Sequence, residues 1–460
     1  MLQSIKNILF STRLTAVLLL VFATAIGVAT FIENDYGTPA SKALVFNTRW
    51  FELVIVLLGI NLIGNIFKYK MFRKEKLAVL TFHLSLIIII IGAGITRYIS
   101  FEGSMHIREG ETSSTIVSDD AYIRFKVDNK EVQYAGEKKL FLNPRYNKPF
   151  EFDFEFEGKP ISISYKDFIP NSIDTVIDVP NGKKIIEIVT VGQGGRVSRF
   201  VESGQTKFFG NLPIAFNNND IDEAIKINLT DTGLYILSPY DLDYLSMDDQ
   251  STGVLAKDTA HLLLNRRLYS VGEIQLVYKT LHESAKIEKI EAPEENLNGE
   301  DALVLDVKCG GEHKEVTLFG GKGYVSNNTI FQMGGLNFSL VYGSKEYYTP
   351  FGVRLNDFKL ERYPGSNSPS SFESEVTLFD NRFGGVEFDQ RIYMNNVLDY
   401  DGYRMFQSSY DKDELGTILS VNHDFWGTLV TYIGYFLMIV GMVLTLISRK
   451  SRFNSLRKSN

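Results

Sequence analysis

Four long apolar stretches constrain this chain more than any other feature of its sequence. They run over Leu14–Ile32, Leu53–Phe67, Leu77–Thr96 and Phe425–Ile447. A bilayer core requires ~20 apolar residues of helix, and flanking aromatic residues bring the second and shortest stretch to that length. The first stretch lacks a small-residue cleavage site before Glu33 and two more stretches follow at once, so we interpret it as retained rather than as a signal peptide. The sequence therefore predicts a membrane protein with four transmembrane helices.

Basic side chains concentrate on one side of these four spans. They precede span 1, fill the loop between spans 2 and 3, and follow span 4, at Lys6, Arg13, Lys68, Lys70, Arg73, Lys74, Lys76, Arg449, Lys450, Arg452, Arg457 and Lys458. Because basic loops stay in the cytoplasm, we expect both termini to be cytoplasmic and the stretch 97–424 to lie outside. Trp50 and Trp426 both fall at the predicted outer interface, where the indole ring is favoured.

Between spans 3 and 4 the hydrophobic period changes from that of a helix to that of a strand. Apolar and polar residues alternate at 121–127, 152–157, 161–165 and 224–229, and turn residues separate these segments. We expect a β-rich, sandwich-like extracytoplasmic domain over 97–424, either single or split into two subdomains near Ala292 to Gly299. The other regions are a three-helix part over 1–96, the fourth helix over 425–448 and a basic cytoplasmic tail over 449–460.

Charge and cysteine content exclude several classes of protein. The net charge is −7 although both membrane regions are basic, so the large domain is strongly acidic. Phosphate contacts need clustered Lys and Arg, which argues against nucleic acid as a partner. The one cysteine, Cys309, cannot form an internal disulfide, a dithiol cycle or a haem-attachment motif. It stands in an alternating stretch, and we interpret it as a small strand residue.

One histidine is the only ionisable side chain, tyrosine apart, within the four spans. His83 lies six residues from the start of span 3, ~9 Å deep at 1.5 Å per residue. A polar ring in hydrocarbon is costly, so it is either a ligand-binding group or a histidine bonded to a neighbouring helix. Asn61 of span 2 lies at a similar depth, with Asn65 one turn away. Asn61 either orients the His83 ring or holds helices together, and we favour packing.

The remaining histidines form no metal-site spacing. They are His106, His261, His282, His313 and His423. His423 precedes span 4, where it either faces a substrate or, as we favour, serves as a hydrogen-bonded residue of the interface. Small residues predict that spans 3 and 4 pack as neighbours: Gly92 and Gly94 mark the outer end of span 3, and Gly434 and Gly441 lie one heptad apart in span 4, with Gly94 expected near Gly434.

Several segments resemble the ResB (or CcsB) family of the System II cytochrome c maturation machinery. They are 80–94 around His83, 101–112 after span 3, 400–411, and 420–432, which leads into span 4. The resemblance covers the whole chain, and the last segment is similar to forms in which ResB is fused to its partner CcsA. It implies a bacterial inner-membrane protein with its large domain on the periplasmic side.

The resemblance also implies a function. With a CcsA-type partner, the family carries haem across the membrane and supports its attachment to apocytochrome c outside. The family's span-3 histidine, an axial ligand of the haem iron, corresponds to His83, and the opposite ligand belongs to the CcsA part. One imidazole supplies one of the two axial bonds, which agrees with a site shared by two proteins. Two alternatives stay open: a membrane-tethered binding or scaffold module with a structural His83, and a b-type haem electron carrier, which would need a second histidine.

Overall fold

The computed structural model describes residues 2–143, 147, 149–192, 195–272, 274–293 and 299–447. The helices within these ranges are α1 (Leu2–Leu9), α2 (Thr12–Ser41), α3 (Arg49–Lys68), α4 (Leu77–Ile99) and α5 (Phe425–Ile447). A π-helical turn, Lys42–Phe46, continues α2, and a 3-10 turn, Lys74–Lys76, precedes α4. Within the described residues, four helices are long and apolar enough to span a membrane, so the predicted number is confirmed. The basic tail 449–460 lies outside the described residues.

The first span is longer than its apolar stretch. Ser11 begins α2 by accepting a hydrogen bond from the Leu14 N–H through its hydroxyl. The helix continues beyond Ile32 to Gly37, whose φ of 80° interrupts it ahead of Pro39. Helix α2 packs against α3 through the small residues Ala25 and Ala29, which share a buried cluster with Phe51.

Glycines let α4 and α5 approach closely along their length. A Cβ on Gly441 would lie 2.7 Å from the Phe82 backbone N, and one on Gly434 would lie 2.6 Å from Ile89 Cγ1. The predicted packing of spans 3 and 4 is therefore confirmed. The predicted role of Gly94 is wrong, because no atom lies within 4 Å of a Cβ there. Gly92, the other glycine predicted in span 3, does meet α5.

The described part of the large domain is built from strands in three sheets. In chain order they are β1 (Phe101–Arg108), β2 (Thr112–Asp128), β3 (Gln133–Leu140), β4 (Glu151–Phe156), β5 (Lys159–Gly192), β6 (Gly195–Glu202), β7 (Gln205–Phe209), β8 (Leu212–Phe216), β9 (Ile225–Thr230), β10 (Gly233–Leu237), β11 (Leu242–Ser246), β12 (Thr252–Leu255), β13 (His261–Leu262), β14 (Arg267–Val271), β15 (Ile274–Glu291), β16 (Glu300–Cys309), β17 (Glu312–Gly320), β18 (Thr329–Met333), β19 (Leu336–Arg362), β20 (Pro369–Asp380), β21 (Val386–Ile392), β22 (Leu398–Tyr400), β23 (Tyr403–Tyr410) and β24 (Gly416–His423). The predicted β-rich class is confirmed, and the four alternating segments fall in β2, β4, β5 and β9.

The ten-stranded sheet joins the last two membrane helices. Its main order is β21-β20-β19-β2-β1-β24-β23-β22, and β3 and β18 pair at the side. Strand β1 follows α4 and β24 precedes α5, and the two pair antiparallel from Phe101↔His423 to Arg108↔Gly416. The contact between α4 and α5 therefore continues as a strand pair into the domain.

Two cores bury the faces of this sheet. In the first, alternate residues of β2 and β19, such as Ile123 and Phe338, pack against β5, β16 and β17, where Ile163 and Leu305 are buried. In the second, strands from both ends of the sheet share one cluster, which includes Ile392 of β21 and Met405 of β23. One face of the sheet therefore packs against other strands, as in a β-sandwich. At the other face, strands from its two ends pack against each other.

Residues 169–301 form a separate compact unit inserted into this domain. Its core lies between the five-stranded sheet β13-β10-β9-β8-β7 and strands β5, β6, β11, β14 and β15, with Tyr269 and Phe216 fully buried. The divisions fall at Phe168/Ile169 and Asp301/Ala302. The sequence placed a joint at Ala292 to Gly299, and most of that stretch lies outside the described residues.

Candidate functional site

His83 lies on the second turn of α4, with its two ring nitrogens in different environments. Nδ1 is 2.8 Å from the Val79 carbonyl oxygen, one turn earlier. A carbonyl only accepts, so Nδ1 carries a proton, and in the neutral ring Nε2 then keeps its lone pair. No described residue is hydrogen-bonded to Nε2, and the ring is half-buried. The arrangement leaves one imidazole nitrogen able to bind a metal, with the ring orientation set by the other.

The packing of α4 shows which side of the helix carries this ring. Phe82, Ser85 and Ile89 meet the glycines of α5. One residue turns the helix by ~100°, so His83 lies away from that face. Val79 and Ile87, one turn on either side of His83, pack against a buried cluster that contains Ile66 of α3 together with Met71 and Leu80. His83 therefore lies on the side of α4 that faces α3.

Asn61 forms hydrogen bonds with the start of the chain and not with His83. Its side-chain amide donates to the carbonyl oxygens of Leu9 (2.5 Å) and Ser11 (3.2 Å). Its oxygen accepts from the Thr15 hydroxyl (2.6 Å) and the Asn65 amide (2.9 Å). The structure describes no hydrogen bond between Asn61 and the histidine. These contacts are those of helix packing, and they attach the α1–α2 junction to α3.

An apolar cavity lies between α4 and α5 at the end of the helices remote from the β domain. Its volume is about 340 Å³, and α4 and α5 line it with Val79, Phe82, Met442, Thr445 and Leu446. Val79 supplies the carbonyl that fixes the His83 ring. The Phe82 ring lies edge-on to the His83 ring, with the two ring centroids 6.0 Å apart. Apolar surface thus adjoins the turn that carries the candidate ligand.

This arrangement fits one axial bond to a haem iron. A neutral imidazole with one nitrogen fixed by a carbonyl is a common iron ligand. The four spans contain no second histidine, so a second imidazole ligand within the membrane would have to come from outside these spans. Among the described residues, no group of three or more His, Cys, Asp or Glu side chains is arranged to hold a metal ion.

His423 is packed between aromatic rings where the domain meets the membrane. Its ring centroid lies 4.2 Å from that of Tyr403 and 5.0 Å from that of Phe101. Burial lowers the pKa of His423, which favours a neutral ring. No hydrogen bond to this ring is described, so His423 is a packed interface residue and not the hydrogen-bonded one that we favoured.

The other histidines pair singly with carboxylates or carbonyls. His106 contacts Asp411 at 2.9 Å, in a cluster that Arg108 also enters. His313 contacts Asp306, His282 lies 3.6 Å from Asp178, and His261 contacts the Ala256 carbonyl. The strands bring none of these four histidines together. Cys309 is fully buried, and burial raises the pKa of its thiol, as expected for a packed strand residue.

A cleft that the sequence did not predict opens next to His423. Its volume is about 600 Å³, and it lies between strands β22 to β24 and the first two turns of α5. Asp399, Tyr403, Arg404 and Asp424 are among its polar lining residues. The segment 400–411 is one of those that carry the family resemblance in the sequence, but its contact with α5 depends on the pairing of β23 with β24.

A family model described as the ResB-like family matches residues 73–152 and 314–424. These segments contain α4 with His83 and the strands of the ten-stranded sheet. Protein NrfI of Wolinella succinogenes is 29% identical to this chain over 449 residues, which is 97% of the chain. The chain is thus similar to the ResB-like family over these two segments. The match to ResB leaves out residues 153–313, which include the inserted unit. This ResB-like chain spans 36% of the length of NrfI.

Proposed function

We propose that this ResB-like chain serves cytochrome c biogenesis. Together with a CcsA-type partner, it carries haem across the membrane and supports haem attachment to apocytochrome c outside. His83 supplies one axial bond to the haem iron on the side of α4 that faces α3. The observation that supports this role is the imidazole itself: Val79 fixes Nδ1, and Nε2 has no described partner.

The charge pattern supports an orientation for this function. The 3-10 turn Lys74–Lys76 and its basic neighbours lie in the cytoplasm, and the three sheets lie on the outer side. A single-cysteine label tests it. Exposed Lys74→Cys should react with a membrane-impermeant maleimide only after permeabilisation, whereas exposed Asp231→Cys should react on the outer face of intact spheroplasts. The reverse pattern would invert the proposed direction of transport.

Replacement of His83 tests the haem site. The chain is co-expressed with a CcsA-type partner, and His83→Ala is compared with Thr81→Ala. Thr81 is a matched control because its hydroxyl bonds only the Leu77 carbonyl of the same helix. The His83 variant should accumulate normally, since it removes a polar group from hydrocarbon. Its complex should lose haem absorbance, while the Thr81 variant keeps it.

Added imidazole provides a second readout. A free ligand can fill one vacated axial position, so imidazole should partly restore the haem spectrum of the His83→Ala complex. A structural histidine predicts another pattern, in which protein levels fall and the remaining protein still carries haem. Normal accumulation with an unchanged haem spectrum would exclude His83 as a ligand and leave the scaffold alternative in its place.

A further inference from the structure

The cleft of about 600 Å³ at the base of the ten-stranded sheet combines an apolar wall with a polar one. The apolar wall is α5, where Phe425, Leu429 and Tyr432 are spaced by four and three residues and share one face. The polar wall comes from the turn between β22 and β23 and from the end of β24. The cleft therefore suits an amphipathic ligand.

The apolar wall continues into the membrane. Phe425, Leu429 and Tyr432 are 52%, 39% and 62% exposed, and Phe436 and Ile439 extend the same exposed face along α5. Phe425 is the first residue of this span, so the cleft lies at the level of the lipid headgroups on the domain side. An acyl chain that follows this face would enter the hydrocarbon layer without leaving the protein surface.

The polar wall carries more negative than positive charge. Asp399 is bonded by Arg404 at 2.8 and 2.9 Å, which also raises the pKa of that guanidinium. Asp424 accepts from the hydroxyls of Thr96 (2.7 Å) and Thr428 (3.4 Å). The described residues form no ion pair with Asp424. The cleft thus holds a carboxylate that lacks a cation, beside an arginine whose guanidinium is half-exposed.

We propose that this cleft binds one phospholipid with an ammonium headgroup, such as phosphatidylethanolamine, from the leaflet on the domain side. The ammonium group lies at Asp424, the phosphate at Arg404, and an acyl chain along Phe425, Leu429 and Tyr432. Aromatic rings beside the carboxylate add cation–π attraction for the ammonium. A phospholipid fits better than a cationic peptide because the apolar wall continues down the lipid-facing side of α5.

Native mass spectrometry of the full chain tests this site. The protein is equilibrated in vesicles of equimolar phosphatidylethanolamine and phosphatidylglycerol, extracted, and the retained lipids are counted. The wild type should retain phosphatidylethanolamine about fivefold over phosphatidylglycerol, the effect of one partly exposed charge pair. Asp424→Asn keeps an oxygen for the two threonine hydroxyls and should reduce this preference to less than twofold. Arg404→Gln should lower the retention of both lipids alike, because both carry the phosphate.

Asp413→Asn is the matched control, an acid at the far end of β23 that Arg108 binds. It should leave the lipid preference unchanged. Equal retention of the two lipids by the wild type would overturn the proposal without any variant being needed. The same conclusion follows if the control changes the preference as much as Asp424→Asn does. A soluble lysine-containing peptide that displaces the lipid at equal concentration would identify the cleft as a peptide site instead.

Discussion

The contact between Gly441 and Phe82 leads to a quantitative prediction about how α4 and α5 pack. A Cβ on Gly441 would lie 2.7 Å from the Phe82 backbone N and 2.9 Å from its Cα. Heavy atoms in contact prefer at least ~3.5 Å, so the helices must separate locally by about 0.8 Å. Both clashing atoms belong to the backbone, and no rotamer change can relieve them. Overpacking of this kind costs about 1–3 kcal/mol.

Gly94→Ala is the matched control for Gly441→Ala. Both variants gain the helix propensity of alanine, about 1 kcal/mol over glycine, and no atom lies within 4 Å of a Cβ on Gly94. Because this gain cancels between the two, Gly441→Ala should be less stable than Gly94→Ala by the overpacking cost of about 1–3 kcal/mol. The free energy of unfolding is measured by titrating the purified chain with SDS in mixed micelles. If both variants shift it equally, α5 does not approach α4 as closely as the structure has it.

Three further predictions concern the polar network of the helices, a carboxylate of the sheet and the thiol. Asn61→Leu removes the partner of the Leu9 and Ser11 carbonyls, so it should destabilise the α1–α2 junction by about 1–3 kcal/mol, seen as faster limited proteolysis there. Hydrogen bonds from Arg382 lower the pKa of Asp380 from 3.8 to about 2, so its stabilisation is complete above pH ~4 and is lost as the pH falls toward 2. Acid unfolding of Asp380→Asn should lack that pH dependence. The Cys309 thiol is fully buried, so it should resist maleimide in the native protein and react after unfolding; rapid labelling without unfolding would contradict its placement.

Local patterns in the sequence were sufficient for the spans and for the β-rich class. Hydropathy over ~20 residues identifies a span wherever it lies in the chain, and span 4 ends at the predicted residues, Phe425–Ile447. Alternation likewise identified strands such as 224–229 within one residue of β9. Both signals depend on each residue's own environment, water, lipid or core, and not on which segment becomes its neighbour.

Long-range contacts decided what the polar residues of the membrane region do. Asn61 and His83 have similar depths by counting residues, yet Asn61 bonds Leu9 and Thr15, because α2 and not α4 covers that face of α3. The sequence identified His83 as a candidate, but only the structure shows that Val79 fixes its Nδ1. Rotation about a helix axis changes which neighbour a side chain meets, and depth alone does not report it.

The cleft between strands β22 to β24 and α5 is the part that only the tertiary structure provides. Asp399, Arg404 and Leu429 meet there because β24 pairs with both β1 and β23, and this pairing places the turn between β22 and β23 against the start of α5. Strand β1 joins β24 across more than 300 residues of intervening chain, including the inserted unit. The sequence by itself determined which segments enter the membrane and which form strands, since these depend on local hydrophobicity and period. The tertiary structure decided which strands pair, because the register of distant strands depends on the burial of a shared core that no single segment specifies.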